Sequence, residues 1–411
     1  MTSADSVPSS DIDFDVTIAG GGMVGSALAC ALAREGFQVA LVEGRVPGEL
    51  PEGSPADLRV SAISPASRRL FTRLGAWDGM VARRVTPYEA MEVWDEGGAG
   101  SIRFDSAELG EPTLGHIVEN RVVQLALLDR ARALDGVRLF TPGRVAGFEN
   151  GADHSLVRLD DGGVHRTRVL VAADGRDSKL RAWAGIGTRG WDYDQHAVVA
   201  TVACERGHGN TAWQRFLPDG PLAFLPLWDG RCSIVWSTAP DHADELLAMD
   251  PDKFRLELGR AFDFRLGEVS DIGPRAAFPL RYLHAERYVA GRTVLVGDAA
   301  HGVHPLAGQG VNLGLLDVAA LAEVMSRARK RGVDIGDPRV LARYGRWRRG
   351  HNMAMGLAFD GFKRLFGSRL VPLRVARNIG LGLAGRFASA RQRFMRTAMG
   401  LDPDLPPLAR P

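Results

Sequence analysis

Residues 15–45 confine the fold more than any other stretch. Val16-Thr-Ile-Ala19 is β-branched and apolar, and Gly20-Gly-Gly22-Met-Val-Gly25 follows at once. Ser26 to Ala33 is a small-residue helical stretch that Gly36 stops, and Phe37 to Val42 is a second apolar run. Strand, Gly-rich turn, helix and buried strand in that order predict the opening βαβ unit of a dinucleotide-binding sheet. Gly20 permits the tight turn, Gly22 lets backbone approach a pyrophosphate, and Gly25 lets the helix lie close on the strand. The helix start offers N–H groups and the positive end of its dipole to a phosphate. Glu43 ends the second strand 23 residues after Gly20, where a carboxylate can accept hydrogen bonds from a ribose diol. A Gly-rich turn that binds nothing has no need of the strand, helix and acid together.

Gly380-Leu-Gly382-Leu-Ala-Gly385 repeats the pattern, with Asp402 22 residues beyond Gly380. It follows the charged, helical Leu373 to Asn378 instead of a buried strand, and no second strand leads to Asp402. Small residues at a helix contact explain it better.

Elsewhere the grammar changes. Val169 to Ala173 and Thr293 to Val296 are short apolar strands ending in Gly/Asp turns. Met91 to Trp94, Ser101 to Phe104, Ala197 to Ala203, Leu222 to Leu227 and Cys232 to Trp236 look like antiparallel strands with turns such as Asp229-Gly230. Along them Met91, Trp94, Phe216, Phe224, Leu225, Leu227 and Trp236 are expected to be mostly sheet core. After about Val311 the pattern is helical. The fold class is therefore α/β: a Rossmann-like nucleotide-binding domain (1–85, 113–186 and 285–330), an inserted β-rich domain (86–112 and 187–284) and C-terminal helices (331–411).

One fingerprint leaves both NAD and FAD open. Val296-Gly-Asp298-Ala-Ala-His301-Gly-Val-His304-Pro305-Leu-Ala-Gly308-Gln309-Gly310-Val311-Asn312-Leu-Gly314-Leu-Leu-Asp317 favours FAD. A strand end presents Asp298, which can accept a hydrogen bond from a ribityl hydroxyl. Gly308 to Gly314 opens a helix whose N-terminus can hold the flavin pyrimidine end, which becomes anionic on reduction.

Charge excludes other classes. With 51 Lys+Arg against 49 Asp+Glu the net charge is +2, too balanced for a nucleic-acid binder. From Leu341 to Pro411, however, 14 basic residues face 3 acidic ones, +11, which leaves −9 for the first 340. Cys30, Cys204 and Cys232 are too few and scattered for a disulfide framework or metal cluster, favouring a cytoplasmic setting. The polar N-terminus lacks signal-peptide character, and no apolar run approaches the roughly 18 residues of a spanning helix.

The fingerprint with Glu43, the segment Ala173-Asp174-Gly175-Arg-Asp-Ser178-Lys-Leu-Arg181 and the Gly297-Asp298 segment together resemble single-component aromatic hydroxylases of the p-hydroxybenzoate-hydroxylase type. Arg59-Val-Ser-Ala-Ile-Ser64, Leu74 to Trp77, Met91 to Trp94, Gly115 to Gln124, His301 to Asp317, Asp360 to Phe366 and Ala398 to Gly400 are similar to the branch that hydroxylates polyprenylphenols in ubiquinone biosynthesis. This resemblance spans nearly the whole chain. It implies FAD held by Gly20, Gly22, Gly25 and Glu43 at its ADP half. Arg59, Arg121 and Gln124 would reach its phosphates or sugar chain, although either arginine could instead be a surface ion pair. Asp298 would lie at the ribityl chain, with Pro305 and the Gly308, Gln309, Gly310, Val311 and Asn312 backbone beside the isoalloxazine. Asp174 belongs to a motif linked to FAD and to NAD(P)H, for which no second nucleotide-binding unit exists. The implied reaction is reduction of the flavin by NAD(P)H, addition of O2, and oxygen transfer through a flavin hydroperoxide to a polyprenylphenol ring.

Three readings stand beside this. The expected motif of a flavin halogenase is absent, a polyprenyl reductase matches the middle and C-terminal segments less well, and a non-catalytic FAD- or lipid-binding component would keep the fold without turnover. His301 and His304, three apart, suit metal poorly without an acidic or Cys partner at ligand spacing. Acid/base assistance or simple loop packing remains open for both. The basic C-terminal helices, with Arg343, Arg346, Arg348, Arg349, Lys363 and Arg364 and Phe394-Met395 among Arg391, Arg393 and Arg396, suit an anionic membrane surface, an acidic partner in a ubiquinone-biosynthesis complex, or a solvated face.

Overall fold

The computed structural model describes residues 12–51, 53–96, 101–302, 310–367, 392, 395–396, 399–401 and 404–410. Phe14–Ala19 is a strand, Met23–Arg34 a helix, and Val39–Val42 a strand parallel to the first. They sit in a sheet ordered Val289–Ala290, Thr293–Leu295, Val164–Ala172, Phe14–Ala19, Val39–Val42, Val137–Phe140. All its pairings from Thr293–Leu295 to Val137–Phe140 are parallel. A parallel sheet is covered on both faces, so its strands carry unbroken apolar runs instead of alternation. Val16, Ile18, Val39, Leu41, Val169 and Val171 are fully buried, in one core with the helices Met23–Arg34, Asn120–Arg132 and Gly310–Lys330.

Register puts the chemistry at one edge. Ala19 lies level with Val42 and with Ala172, and Ala172 with Leu295. The segments that follow, carrying Gly20, Glu43, Asp174 and Asp298, therefore emerge together at the carboxyl ends of four neighbouring strands. That is where open α/β sheets hold ligands.

A second sheet runs His301–Gly302, Ala276–Ala285, Thr188–Cys204, Cys232–Thr238, Gly220–Pro226, Thr211–Leu217, Ala90–Asp95, Ser101–Asp105. One pairing corrects the all-antiparallel expectation, because Ala90–Asp95 runs parallel to Thr211–Leu217. No hairpin joins these strands: the chain passes through the first sheet between them, so no tight turn dictates their direction. Both faces are buried, which accounts for the mixed pattern. Leu222, Phe224, Ile234 and Trp236 pack toward the helices Pro240–Ala248 and Pro251–Ala261, in a core with Leu246, Phe254 and Leu258. Ala212, Ala223, Leu225 and Leu227 pack with Tyr88, Ala62 and Ile117. The last three lie in a three-stranded sheet of Val60–Ile63, Gly115–Glu119 and Thr86–Tyr88.

The C-terminal basic segment is not one solvated face. In the helix Pro338–Gly367, Leu341, Tyr344, Arg348 and Asn352 recur at helical spacing and are buried, while Arg343, Arg346 and Arg349 are exposed. Arg348, expected on the surface, is 1% exposed. Met395 and Met399 are buried in the same core as Tyr88 and Leu225. The side chains of Lys363 and Arg364, the residues Arg391, Arg393 and Phe394, and the Gly380–Gly385 repeat lie outside the described residues.

His116 supplies a pH dependence. It is 8% exposed, packs edge-on to Trp77 at 5.0 Å, and its Nδ1 has no hydrogen-bond partner among the described residues. Burial first, and the Arg68 charge second, push it down to about 4. The unfolded chain, with His near 6.5, therefore binds the extra proton at higher pH than the folded one. Stability is full above 6.5 and falls by about 1.4 kcal/mol per pH unit between 6.5 and 4. His165 and His284, also lowered by burial, act in the same direction. The drop in Tm from pH 7.5 to pH 5 should be smaller in His116→Phe than in the unaltered protein; equal drops would refute the assignment.

Candidate functional site

The three fingerprint glycines differ sterically. Gly20 has φ +105°, and a Cβ there would lie 2.4 Å from the Ala173 carbonyl oxygen. A Cβ on Gly25 would lie 1.9 Å from the Gly20 oxygen. Around Gly22 a Cβ would meet nothing within 4 Å among the described residues, so this backbone faces open space. Gly22 is also the N-cap of Met23–Arg34 and supplies no side-chain cap, so no cap side chain claims the first-turn N–H groups. Gly21, which the pattern leaves free, is equally constrained: a Cβ would lie 2.8 Å from Glu43 Cβ. Nothing in the one-dimensional pattern signals that, because the contact comes from the neighbouring strand.

Glu43 is half-buried, and its carboxylate accepts from the backbone N–H groups of Gly21 at 2.5 Å and Arg45 at 2.8 Å. Gln124 donates to the Gly21 carbonyl at 2.9 Å, tying the helix Asn120–Arg132 to the turn. Asp174 turns toward its own segment, accepting from Ser178 Oγ at 2.5 Å and Lys179 N–H at 2.9 Å at the start of the helix Lys179–Trp183. Asp298 is exposed on the turn Gly297–Ala299. That turn rests on the fingerprint helix, since a Cβ on Gly297 would lie 3.2 Å from Val24 Cγ1.

Arg121 Nη2 lies 2.6 Å from Asp57 Oδ1, and exposed Arg59 sits 5.7 Å from the Phe278 ring. The helix Gly310–Lys330 begins beside this region, and Gly310 and Val311 are partly exposed. Asn312 is buried: it donates to the Ala62 carbonyl at 2.8 Å and accepts from Ser67 Oγ at 2.7 Å, anchoring the helix start to the Val60–Ile63 strand. His304, Pro305, Gly308 and Gln309 lie outside the described residues.

His301 is 2% exposed, with Nε2 2.5 Å from Asp317 Oδ2. Asp317 is fully buried and also accepts from Arg348 Nε at 2.8 Å, Asn352 Nδ2 at 3.0 Å and Gly297 N–H at 3.1 Å. Burial alone would raise its pKa, but His301 and Arg348 reverse this and hold it well below the usual carboxylate range. The sequence offered only a weak signal for the cluster: one acid on the apolar face of one helix, and one arginine in line with Leu341 and Tyr344 on another.

An open backbone at Gly22, an uncapped helix N-terminus, a carboxylate at the next strand end and an exposed Asp298 beside them fit an extended dinucleotide with a polyol arm. Fold and site define an FAD-binding oxidoreductase, and a family model described as FAD binding domain matches residues 13–355. The chain is 42% identical over 387 residues to 3-demethoxyubiquinol 3-hydroxylase of Escherichia coli, covering 94% of this chain and 98% of that one. It is 42% identical over 405 residues to ubiquinone hydroxylase UbiL of Rhodospirillum rubrum (98% and 94% covered), and 37% identical over 443 residues to the mitochondrial ubiquinone biosynthesis monooxygenase COQ6 of Homo sapiens (95% and 93%). The crystal structure of p-nitrophenol 4-monooxygenase from Pseudomonas putida superposes with a TM-score of 0.77 at 20% identity, covering 94% of this chain and 98% of that one, a likeness of fold. The chain belongs to the FAD-dependent ubiquinone-biosynthesis hydroxylase family of flavin monooxygenases.

Proposed function

We propose that the protein hydroxylates the aromatic ring of a polyprenylphenol intermediate of ubiquinone biosynthesis, with NAD(P)H as reductant and O2 as oxygen source. The near full-length identity to two ubiquinone hydroxylases carries this reading. Bound FAD supplies the redox chemistry and the activation of O2. The chain's own residues bind it. The Gly20–Gly25 turn and the Met23–Arg34 N-terminus hold the pyrophosphate, and Glu43 takes the ribose. Arg59 and Arg121 reach the phosphates or sugar chain, Gln124 braces the turn, Asp298 takes the ribityl chain, and the Gly310–Asn312 backbone lies beside the isoalloxazine. Asp174 acts by fixing its own loop. In this reading residues 86–112 and 187–284 form the substrate domain and the other segments up to 330 the FAD domain.

Among the described residues no helix is long and apolar enough to cross a membrane. A polyprenyl substrate must then reach the site from a membrane or a lipid-binding partner. Exposed Arg343, Arg346 and Arg349 near Met353 and Leu357, 43% and 55% exposed, support a peripheral contact with an anionic surface or an acidic member of a biosynthetic complex.

The test is twofold. Purified protein with FAD should consume NAD(P)H and O2 in step with hydroxylated phenol. Supplied to cells blocked at each ring hydroxylation in turn, it should remove one quinone precursor and so identify the ring position. Saturation of the prenyl chain without O2 uptake would sink the proposal.

A further inference from the structure

Behind the Gly297–Ala299 turn lies an ionic cluster that the cofactor contacts do not require. Asp317 Oδ2 serves both ends of the segment around Asp298, accepting from Gly297 N–H at 3.1 Å and lying 2.5 Å from His301 Nε2. Its other oxygen accepts from Arg348 Nε at 2.8 Å and Asn352 Nδ2 at 3.0 Å. Arg348 is 1% exposed, and its Nη2 donates to Asn352 Oδ1 at 2.6 Å and to the Leu313 carbonyl at 3.4 Å. A carboxylate and a guanidinium taken fully out of water are costly, and such pairs are often no more stabilising than apolar residues of the same volume. Stability alone is therefore a poor reason for this one.

What the cluster does have is directional control. Gly297 has φ +58°, and the turn after it is closed by Ala300 N–H donating to the Gly297 carbonyl at 2.8 Å. With Gly297 and His301 both held by one oxygen, rotation of the Asp317 carboxylate would move both ends of the segment that presents Asp298. Arg348 and Asn352, holding the opposite oxygen, prevent that rotation.

We propose that Arg348 is a positioning residue for the cofactor: acting through Asp317, it fixes the turn that aims Asp298 at the ribityl chain of FAD. The helix Pro338–Gly367 thereby sets how firmly FAD is gripped, although none of the cluster needs to touch it. The inference rests on the FAD reading of Asp298 given above.

The full chain, stripped of FAD and titrated with it, tests this in Arg348→Lys, Arg348→Gln and the double variant Asp317→Asn/Arg348→Gln. Three quantities are read: the FAD Kd by flavin fluorescence, the absorption bands of the bound flavin, and the Tm of the apoprotein. Lysine keeps the charge but, as a point donor, cannot span Asp317 and Asn352 as the guanidinium fork does. Arg348→Lys should keep an apoprotein Tm close to the unaltered value, while FAD binds about tenfold more weakly (~1.4 kcal/mol) with shifted bands. Arg348→Gln removes the guanidinium paired with the buried Asp317 carboxylate and should lose Tm as well. The double variant should regain Tm without regaining affinity, because an asparagine side chain in place of Asp317 has one oxygen where two were used. An unchanged Kd and spectrum in Arg348→Lys, or affinity that follows Tm in every variant, would overturn the proposal and leave a merely structural ion pair. FAD uptake by the unaltered protein is the separate control, since its failure would strike the cofactor reading itself.

Discussion

Gly25→Ala is expected to purify without FAD. The added methyl would lie 1.9 Å from the Gly20 carbonyl oxygen and 3.1 Å from Ala173 Cβ. A flexible side chain could swing away from such a clash; a backbone oxygen in the turn that opens the helix cannot. Either the helix Met23–Arg34 lifts from the strand or the Gly20 turn deforms, and both displace the N–H groups that would meet the pyrophosphate. Overpacking costs about 1–3 kcal/mol in tolerant sites and more where the neighbour is rigid. A loss of ~3 kcal/mol from FAD binding is more than 100-fold in Kd. Gly22→Ala makes the contrast. Its methyl meets none of the described residues, so the apoprotein Tm should hold while FAD binding alone weakens, the space being the pyrophosphate's. Apoprotein melting and FAD titration on both variants decide it. Native FAD content in Gly25→Ala would mean that the turn is not the cofactor cradle.

The contrast also marks how far the sequence can be read. The local geometry at Gly20, Gly22 and Gly25 was legible because it depends on one strand, one turn and one helix. The strand ends bearing Glu43 and Asp298 were legible for the same reason, as short apolar runs halted by polar turns. Contacts supplied by another part of the chain were not. Gly21 is crowded by Glu43 from the adjacent strand, and Asn312 holds the Ser64–Ser67 segment some 250 positions earlier. The parallel pairing of Ala90–Asp95 with Thr211–Leu217 depends on a path through the other sheet, which composition and alternation do not encode. Charge counting misled most in the C-terminal segment. Summed over 71 residues it suggested a uniformly basic surface, yet helical spacing turns Arg348 inward to a carboxylate on a different helix. A charged residue spaced with buried Leu341 and Tyr344 is a sign worth reading, since an arginine on an apolar face needs a partner there.

Asp298→Ala should separate binding from stability, which Gly25→Ala cannot do. The carboxylate is exposed, and its turn is held by the backbone, by Val24 and by Asp317 rather than by its own side chain. Removing it should leave the apoprotein within about 0.5 kcal/mol of the original, as for surface substitutions away from structural features. Its loss should be felt once FAD is bound. A hydrogen bond to a charged acceptor contributes about 1.5–3 kcal/mol, so the FAD Kd should rise roughly 10- to 100-fold. Asp298→Asn keeps an oxygen acceptor and loses the charge, and should fall between the two. Because a loosened ribityl chain also frees the ring system it carries, kcat measured at saturating FAD should drop in the same order, and a misplacement near 1 Å can cost about 100-fold. KM for the phenol should change less than kcat, since Asp298 is assigned to the cofactor and not to the substrate. An Asp298→Ala protein with unchanged FAD affinity and a lowered apoprotein Tm would reverse the assignment, making this residue part of the scaffold.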